Sequence, residues 1–482
     1  LGSLDGNHYD AVVIGAGMSG LAAGIRLRLG EKKTLIVERH EAPGGLNSFY
    51  RLGDHRYDVG LHAMTNYVGR GARQAPLSKL FRQLRIRRED FDLSEQLGSR
   101  IRFPGTSLRF TNDFAVLVSE VERVFPREVD GFLKLAEFVR GYDSTRLDDS
   151  GNLSARGHLE KYLKEPLLRE MLLCPIFYYG SARENDIDLG QFCIMFQSLF
   201  FEGFARPYAG VRQIIGTLTR KYASLGGERR MRTGVREIRT SGNRVKALIL
   251  ESGDVITADK VISSAGLVET LRLCSDYPDH GHEEEKTDNI GRLSFVETIN
   301  ILNRQPQEMG WKDTIVFFST TEQLHYERPE SHLVDPRSGV ICFPNNYAYP
   351  ERKTLPEGWL RVTALANYDR WAGLDEVTYC EEKHIWFSRL TRQAVELLAE
   401  CGGLDVSLDA FTVARDMFTP KTITKYTGHL AGAVYGAPHK RKDGKTHLEN
   451  LFIAGTDQGF LGIVGAMLSG ISIANAYVLK GS

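Results

Sequence analysis

The chain has 482 residues and a mass of 54.1 kDa, which points to two interlocked domains, and its 42% hydrophobic and 25% charged residues exclude a disordered, fibrous or disulfide-stapled polymer. The 61 basic residues balance the 61 acidic ones, so no net field draws in a polyanion and nucleic acid is not expected as a partner. Six cysteines (Cys174, Cys193, Cys274, Cys342, Cys380, Cys401) stand far apart without a CxxC pair or a histidine at ligand spacing, so no metal site or disulfide framework is expected and a reducing, cytoplasmic setting fits.

Leu1 to Asn7 reads as a processing remnant outside the fold, without the basic-then-apolar pattern of a secretion signal. Asp10 to Gly15 is a short apolar run ending in glycine, Met18 to Leu29 carries a helical pattern, and Thr34 to Glu38 is a second buried strand, which together make a βαβ unit. Between strand and helix lies Gly15-Ala16-Gly17-Met18-Ser19-Gly20. Gly15 permits the tight turn, Gly17 lets the backbone approach a pyrophosphate, Gly20 lets helix and strand pack closely, and the phosphate charge would rest on the helix N-terminus. Glu38 closes the second strand, where a carboxylate can accept the hydroxyl protons of an adenosine ribose and would repel a 2′-phosphate. A bare GxGxxG also occurs as a chance glycine-rich turn; here strand, glycines, helix, second strand and acid stand in register. These residues leave the dinucleotide open between NAD and FAD. Glu41 to Phe49 adds the pair Gly44-Gly45 just past the adenosine end, where bare backbone could cover the cofactor's middle, although an ordinary Pro-Gly turn is the plainer reading.

Four stretches, Gly15 to Ala23, Glu38-Arg39, Gly44 to Phe49 and Tyr57-Asp58-Val59-Gly60-Leu61-His62, resemble the amine-oxidase-like FAD flavoproteins, and within them the branch of phytoene desaturases, carotenoid isomerases and retinol saturases. The resemblance implies FAD as the cofactor and an α/β, Rossmann-like FAD-binding domain built from discontinuous segments, with an interleaved α+β substrate domain. It sets Gly15, Gly17, Ser19, Gly20, Glu38 and Arg39 along the nucleotide half. Gly44, Gly45 and Leu46 follow over the middle, and Gly60, Leu61 and His62 lie beside the isoalloxazine ring.

Farther along, Met171 to Gly180 and Gln191 to Phe201 are dense in aromatic and sulfur side chains and too short to span a bilayer. They could line a tunnel for a long apolar molecule or lie against a membrane surface, and an ordinary helical core fits the same pattern. Gly210-Val211 opens a helical segment to Leu225, followed by alternating strands at Gly234–Ile238, Val245–Leu250, Val255-Ile256 and Ala258–Gly266. The resemblance implies that this segment completes the FAD domain, with the Val235 backbone touching the adenine. Lys425 to Gly436, with His429 and Tyr435, resembles the branch's late Tyr-Gly segment facing the flavin; its polar members could equally be sheet-edge residues without chemical duty.

Asn450 to Asp457 reads as a strand that stops at an acid, and Gly462-Ile463-Val464 opens an uncharged helix. Gln458 to Leu479 carries no charge and is long enough to cross a bilayer, but its glycines, serines and Asn475 suit a helix pressed closely into a protein core. Asp457 could accept a ribityl hydroxyl or simply cap a helix, and the helix N-terminus at Ile463 and Val464 could stabilise negative charge on a reduced flavin. The resemblance assigns Gly455, Asp457, Gly462, Ile463 and Val464 to the flavin end.

The expected division is therefore 8–75, 205–275 and 445–482 as one FAD-binding domain, with 76–204 (helical, aromatic-rich) and 276–444 as the substrate domain. His62 stands out as a catalytic candidate because an imidazole near the flavin could move a proton as hydride leaves; a histidine that only hydrogen-bonds flavin or backbone fits the same position. His429 and Tyr435 are the other two candidates. The expected activity is that of an FAD-dependent oxidoreductase moving hydride between flavin N5 and a C–H or C=C centre of an apolar unsaturated substrate of carotenoid, isoprenoid or polyene type, by desaturation, saturation or isomerisation. Oxygen or a quinone is the expected electron acceptor, with peripheral membrane contact allowed. An amine or amino-acid oxidase releasing hydrogen peroxide is the alternative on the same scaffold. A disulfide-reductase type flavoenzyme would need a second GxGxxG and a redox cysteine pair, which are missing, and no sequence feature asks for a non-catalytic flavin-binding protein.

Overall fold

The structure is a computed structural model that describes residues 7–60, 62–69, 71–142, 153–277, 289–350 and 354–480. The strands of the first part are β1 (His8–Ile14), β2 (Thr34–Val37), β3 (Phe49–Leu52), β4 (His55–Asp58), β5 (Leu93–Glu95), β6 (Ser99–Phe103), β7 (Thr106–Phe110) and β8 (Ala205–Pro207). Then come β9 (Glu228–Arg230), β10 (Val235–Ser241), β11 (Arg244–Leu250) and β12 (Val255–Ser263). The last are β13 (Ser294–Leu302), β14 (Ile315–Ser319), β15 (Val334–Cys342), β16 (Gly358–Ala366), β17 (Thr412–Phe418) and β18 (Leu451–Ile453). The helices that carry the argument are α1 (Met18–Leu29), α2 (Pro166–Gly180), α3 (Leu189–Phe196), α4 (Val211–Ser224), α5 (Glu376–Glu400), α6 (Pro420–Thr427) and α7 (Gly462–Ala474).

One sheet runs β10-β11-β12-β1-β2-β9, with β18 added to β12. Its centre is parallel: Ile14 lies opposite Val37 on one side and Ser263 on the other, and Ile262 pairs with Phe452. A parallel sheet needs both faces covered, which explains why β1 and β2 read as unbroken apolar runs. On one face Val13, Ile36 and Ile262 pack against α1, α4 and α7; on the other Val12, Leu35 and Val261 meet Ile238, Leu248 and Leu250 of the meander. Val255-Ile256 and the stretch that follows it form the single strand β12, which pairs parallel with β1 from Thr257 to Ser263, antiparallel with β11 at its start and parallel with β18 at its end.

The second sheet, β17-β13-β16-β15-β14-β6-β7, joins strands on both sides of residue 205. Alternation along β13 sends Val296 and Leu302 towards the long helix α5 and Phe295 towards α2 and α3. Glu297 shares the Phe295 face. The same period on β16 places Arg361 and Thr363 on the face opposite Leu360 and Val362, which pack with α5. The aromatic stretches of residues 76–204 form the helical core over that face, with Met171, Phe177, Phe192 and Phe196 buried.

The uncharged tail is α7 continued by a wider turn at Asn475–Leu479. Gly462–Leu479 is long and apolar enough to cross a membrane by length and composition, and half of it is buried against the rest of the chain. Its glycine spacing has a packing cause: a Cβ at Gly470 would stand 2.0 Å from the Ser19 carbonyl oxygen of α1.

Candidate functional site

A cavity of about 1620 Å³ is lined by residues of the meander, the glycine turn and the aromatic face of the second sheet. Its lining includes Gly234 and Val235, then Glu38, Gly15, Gly17, Gly45 and Leu46, and also Gly60, His62, Gly462 and Ile463. Beyond them lie Tyr178, Tyr179, Phe295, Val340, Val434 and Tyr435.

The glycine turn owes its shape to backbone freedom. Gly15 has φ +98°, and a Cβ there would meet Ser264 Oγ at 2.4 Å; a Cβ at Gly20 would meet the Gly15 carbonyl oxygen at 2.0 Å. Gly17 differs: a Cβ there would touch nothing within 4 Å, so the bare backbone faces open space at the start of α1. The Glu38 carboxylate is already fixed beside this turn, its two oxygens accepting from the Ala16 amide at 2.7 Å and the His40 amide at 2.8 Å. Neither α1 nor α7 has a side-chain cap at its N-terminus, and neither carries an acid in its first turn. First-turn N–H groups of both helices therefore lack the usual side-chain acceptor, which suits ligand phosphate or carbonyl oxygens. A fixed carboxylate, a bare turn and two uncapped helix starts along one channel fit FAD.

At the far end a charged network is buried among apolar strands. His62 Nε2 lies 2.8 Å from Glu297 Oε1, and Arg361 grips the same carboxylate through Nε at 2.7 Å and NH2 at 2.8 Å. Arg361 NH2 also donates to the Asp58 carbonyl at 3.0 Å, and the Asp58 carboxylate takes Arg206 at 2.8 Å, with Arg212 at 3.4 Å. Burial disfavours the imidazolium, but neighbouring Cys342 and Glu297 outweigh it and push the His62 pKa up to about 10. Burial likewise works against the Glu297 carboxylate, yet Arg361 and His62 hold its pKa down to about 2. The raised pKa and the short contact favour an imidazolium that donates from Nε2 to Glu297. Tyr347 fixes the loop by donating to the His62 carbonyl at 2.9 Å.

The other two catalytic candidates also line the cavity. His429 sits 3.8 Å from Glu269 Oε1; burial opposes its charge, and the Glu269 interaction raises its pKa nonetheless. Tyr435 donates its hydroxyl to the Tyr178 carbonyl, packs edge-on against Phe295 at 5.8 Å, and has its phenol pKa pushed up by burial. Tyr178 bonds Ser338 at 2.9 Å, and Tyr179 stacks on Phe204 at 5.1 Å. Burial keeps these phenols neutral, and all three line the chamber.

Of the cofactor candidates, Gly15, Gly17, Glu38, Arg39, Gly45, Leu46, Gly60, His62, Val235, Gly462 and Ile463 line the cavity; Leu61 lies outside the described residues. Six others do not. Ser19 and Gly20 face inward from α1, Gly44 closes the following turn against the Asn47 carbonyl, and Val464 is fully buried under the start of α7. Gly455 donates its amide to Ser469 Oγ at 2.6 Å. Asp457 is the sixth residue that does not line the cavity. Its carboxylate accepts from the Leu267 amide at 2.7 Å and the Ala437 amide at 2.8 Å, while the neighbouring Thr456 lines the cavity. Sequence reasoning missed Glu297, Arg361, Glu269 and Thr456. The available signal for the first two was a charge at a core-facing position of an otherwise apolar strand. All six cysteines are unpaired, and no group of three or more metal-ligating side chains occurs among the described residues.

The family model for flavin containing amine oxidoreductases matches residues 18–477. The chain is 21% identical to prolycopene isomerase 2, chloroplastic, of an Oncidium hybrid cultivar, covering 98% of this chain and 84% of that one. It is 28% identical to the neurosporene-forming phytoene desaturase of Rhodobacter capsulatus, over 54% of this chain and 53% of that protein. Among solved structures, an oxidoreductase from Methanosarcina mazei superposes with a TM-score of 0.67 at 15% identity, covering 96% and 99% of the two chains. An A394C mutant of putrescine oxidase gives 0.64 at 15% identity, covering 99% and 100%. These two likenesses show the fold.

Proposed function

From the premise that this chain belongs to the flavin containing amine oxidoreductase family, and so is an FAD-dependent oxidoreductase, we propose that it acts on an apolar polyene or isoprenoid, as a desaturase, saturase or isomerase. The observation that carries this reading is the wall of Tyr178, Tyr179, Phe295, Val340, Val434 and Tyr435 continuing the channel beyond Gly462. Curated relatives named as carotenoid isomerases and desaturases support the same substrate class.

Bound FAD supplies the capacity to accept and return hydride at carbon. Glu38 is assigned to the adenosine ribose, Gly15, Gly17 and the start of α1 to the pyrophosphate, and the Val235 backbone to the adenine. Gly45, Leu46, Gly60 and Thr456 are assigned to the middle and ribityl portions, and Gly462 and Ile463 at the start of α7 to the ring. The Tyr435 and Tyr178 rings exclude water from the reacting carbon and hold the substrate by its apolar faces. His62 keeps its proton on Nε2 against Glu297; it serves as a fixed positive charge rather than as a base. The division into an FAD-binding domain of 8–75, 205–275 and 445–482 and a substrate domain of 76–204 and 276–444 belongs to the same proposal. It is supported by β6 and β7 sharing the second sheet with β13 to β17.

Mass spectrometry of small molecules that copurify with the protein tests the substrate class. A trapped polyene or isoprenoid is the expected result. A polar amine in its place, with hydrogen peroxide released on adding that amine, would overturn the reading in favour of an amine oxidase. Oxygen or a quinone as acceptor is checked by comparing turnover in air with turnover under anaerobic conditions with an added quinone.

A further inference from the structure

Helix α6, from the second insertion, ends beside the nucleotide half of the channel. Thr419 caps its start and Gly428, at φ +79°, ends it in the left-handed conformation. A Cβ at Gly428 would come 2.7 Å from the Arg39 guanidinium, and the ring of Tyr426 stands edge-on to His40 at 5.3 Å. The helix also packs on the Gly45–Asn47 turn, and Gly45 lies against Gly17: a Cβ at Gly45 would stand 3.6 Å from the Gly17 Cα. So α6 docks on the segments that flank the bare glycine turn.

Lys421 and Lys425, one helical turn apart on α6, line the cavity together with Arg39. Lys421 Nζ lies 4.6 Å over the Tyr379 ring and Lys425 Nζ 5.2 Å over Tyr426. Among the described residues, none of the three cations makes an ion pair or a hydrogen bond, whereas Lys383 and Arg212, which also line the cavity, face Asp416 and Asp58. Like charges that line one cavity without acidic partners repel one another unless an anion joins them.

We infer that Lys421 and Lys425, with Arg39, bind the pyrophosphate of FAD from the side facing the glycine turn, so that the second insertion fastens the cofactor. The turn and the start of α1 then supply backbone N–H groups on one side while α6 supplies mobile charge on the other. The inference rests on the FAD reading and is independent of the substrate's identity.

The test is titration of the flavin-stripped full chain with FAD and, separately, with riboflavin, followed by flavin fluorescence at several salt concentrations. Lys421→Gln/Lys425→Gln should weaken FAD binding about tenfold or more, flatten its salt dependence, and leave riboflavin binding within about twofold. Lys421→Arg/Lys425→Arg should retain FAD binding near the parent level, which separates charge from folding. Unchanged FAD affinity in the Gln variant, or equal weakening of FAD and riboflavin, would overturn the inference. So would unchanged FAD affinity with a raised KM for an acidic substrate, which would reassign the lysines to a substrate head group. Failure of the parent protein to bind any flavin would instead strike the FAD reading itself.

Discussion

The Glu297 carboxylate stands at the centre of the buried network, because both His62 and Arg361 contact it directly. Removing one member of a buried pair leaves an uncompensated charge, so Glu297→Gln should destabilise the protein by about 3–5 kcal/mol, read from urea unfolding. The pH dependence has two arms. His62 is raised from 6.5 to about 10, so its stabilisation is complete below pH 6.5 and is lost as pH climbs through 10. Glu297 is lowered from 4.5 to about 2, so its share is present above pH 4.5 and fades as pH falls through 2. His62→Gln should therefore flatten the alkaline limb of the urea midpoint, and an unaltered limb would show that the ring is neutral. Glu38 was legible in the sequence because its partners, Ala16 and His40, belong to the same local βαβ unit and the turn that follows it. Glu297 was not, since its meaning appears only when β13 and β16 pair and bring Arg361 and the His62 loop to one face.

Helices α1 and α7 meet backbone to backbone, and this contact reverses an ordinary rule. Alanine in a helix interior normally gains about 1 kcal/mol over glycine. At Gly470, however, the new Cβ faces the Ser19 carbonyl at 2.0 Å and the Ala23 nitrogen at 3.1 Å, neither of which can swing aside. Gly470→Ala should lower the melting temperature, with an overpacking cost of about 1–3 kcal/mol. Gly216→Ala in α4 meets only the end of the Arg220 side chain at 3.0 Å and should leave the melting temperature unchanged or raise it. The glycine periodicity of the tail made the close packing of α7 readable from sequence. The second sheet was not readable, because β6 pairs with β14 from the far side of residues 205–275, and no local pattern encodes so distant a partner.

At the scale of the whole molecule, Asp457 joins three parts of the chain: its own tail, the Leu267 amide after β12, and the Ala437 amide in the second insertion. Asp457→Ala leaves two buried amides without an acceptor and should cost about 2–6 kcal/mol at 1–3 per amide, measured by chemical denaturation. Loss of flavin binding without loss of stability would instead mark it as a cofactor ligand. Strand β12 gathers the same distant parts, flanked by β1 on one side and by β11 and then β18 on the other. During translation at about 5–20 residues per second, the slot beside Val261 and Ile262 waits roughly 10–40 s for Leu451 and Phe452 to be made. For that interval the nascent polypeptide carries an open, greasy sheet edge, so ribosome-bound intermediates halted before β18 would be the form that chaperones hold and proteases cut.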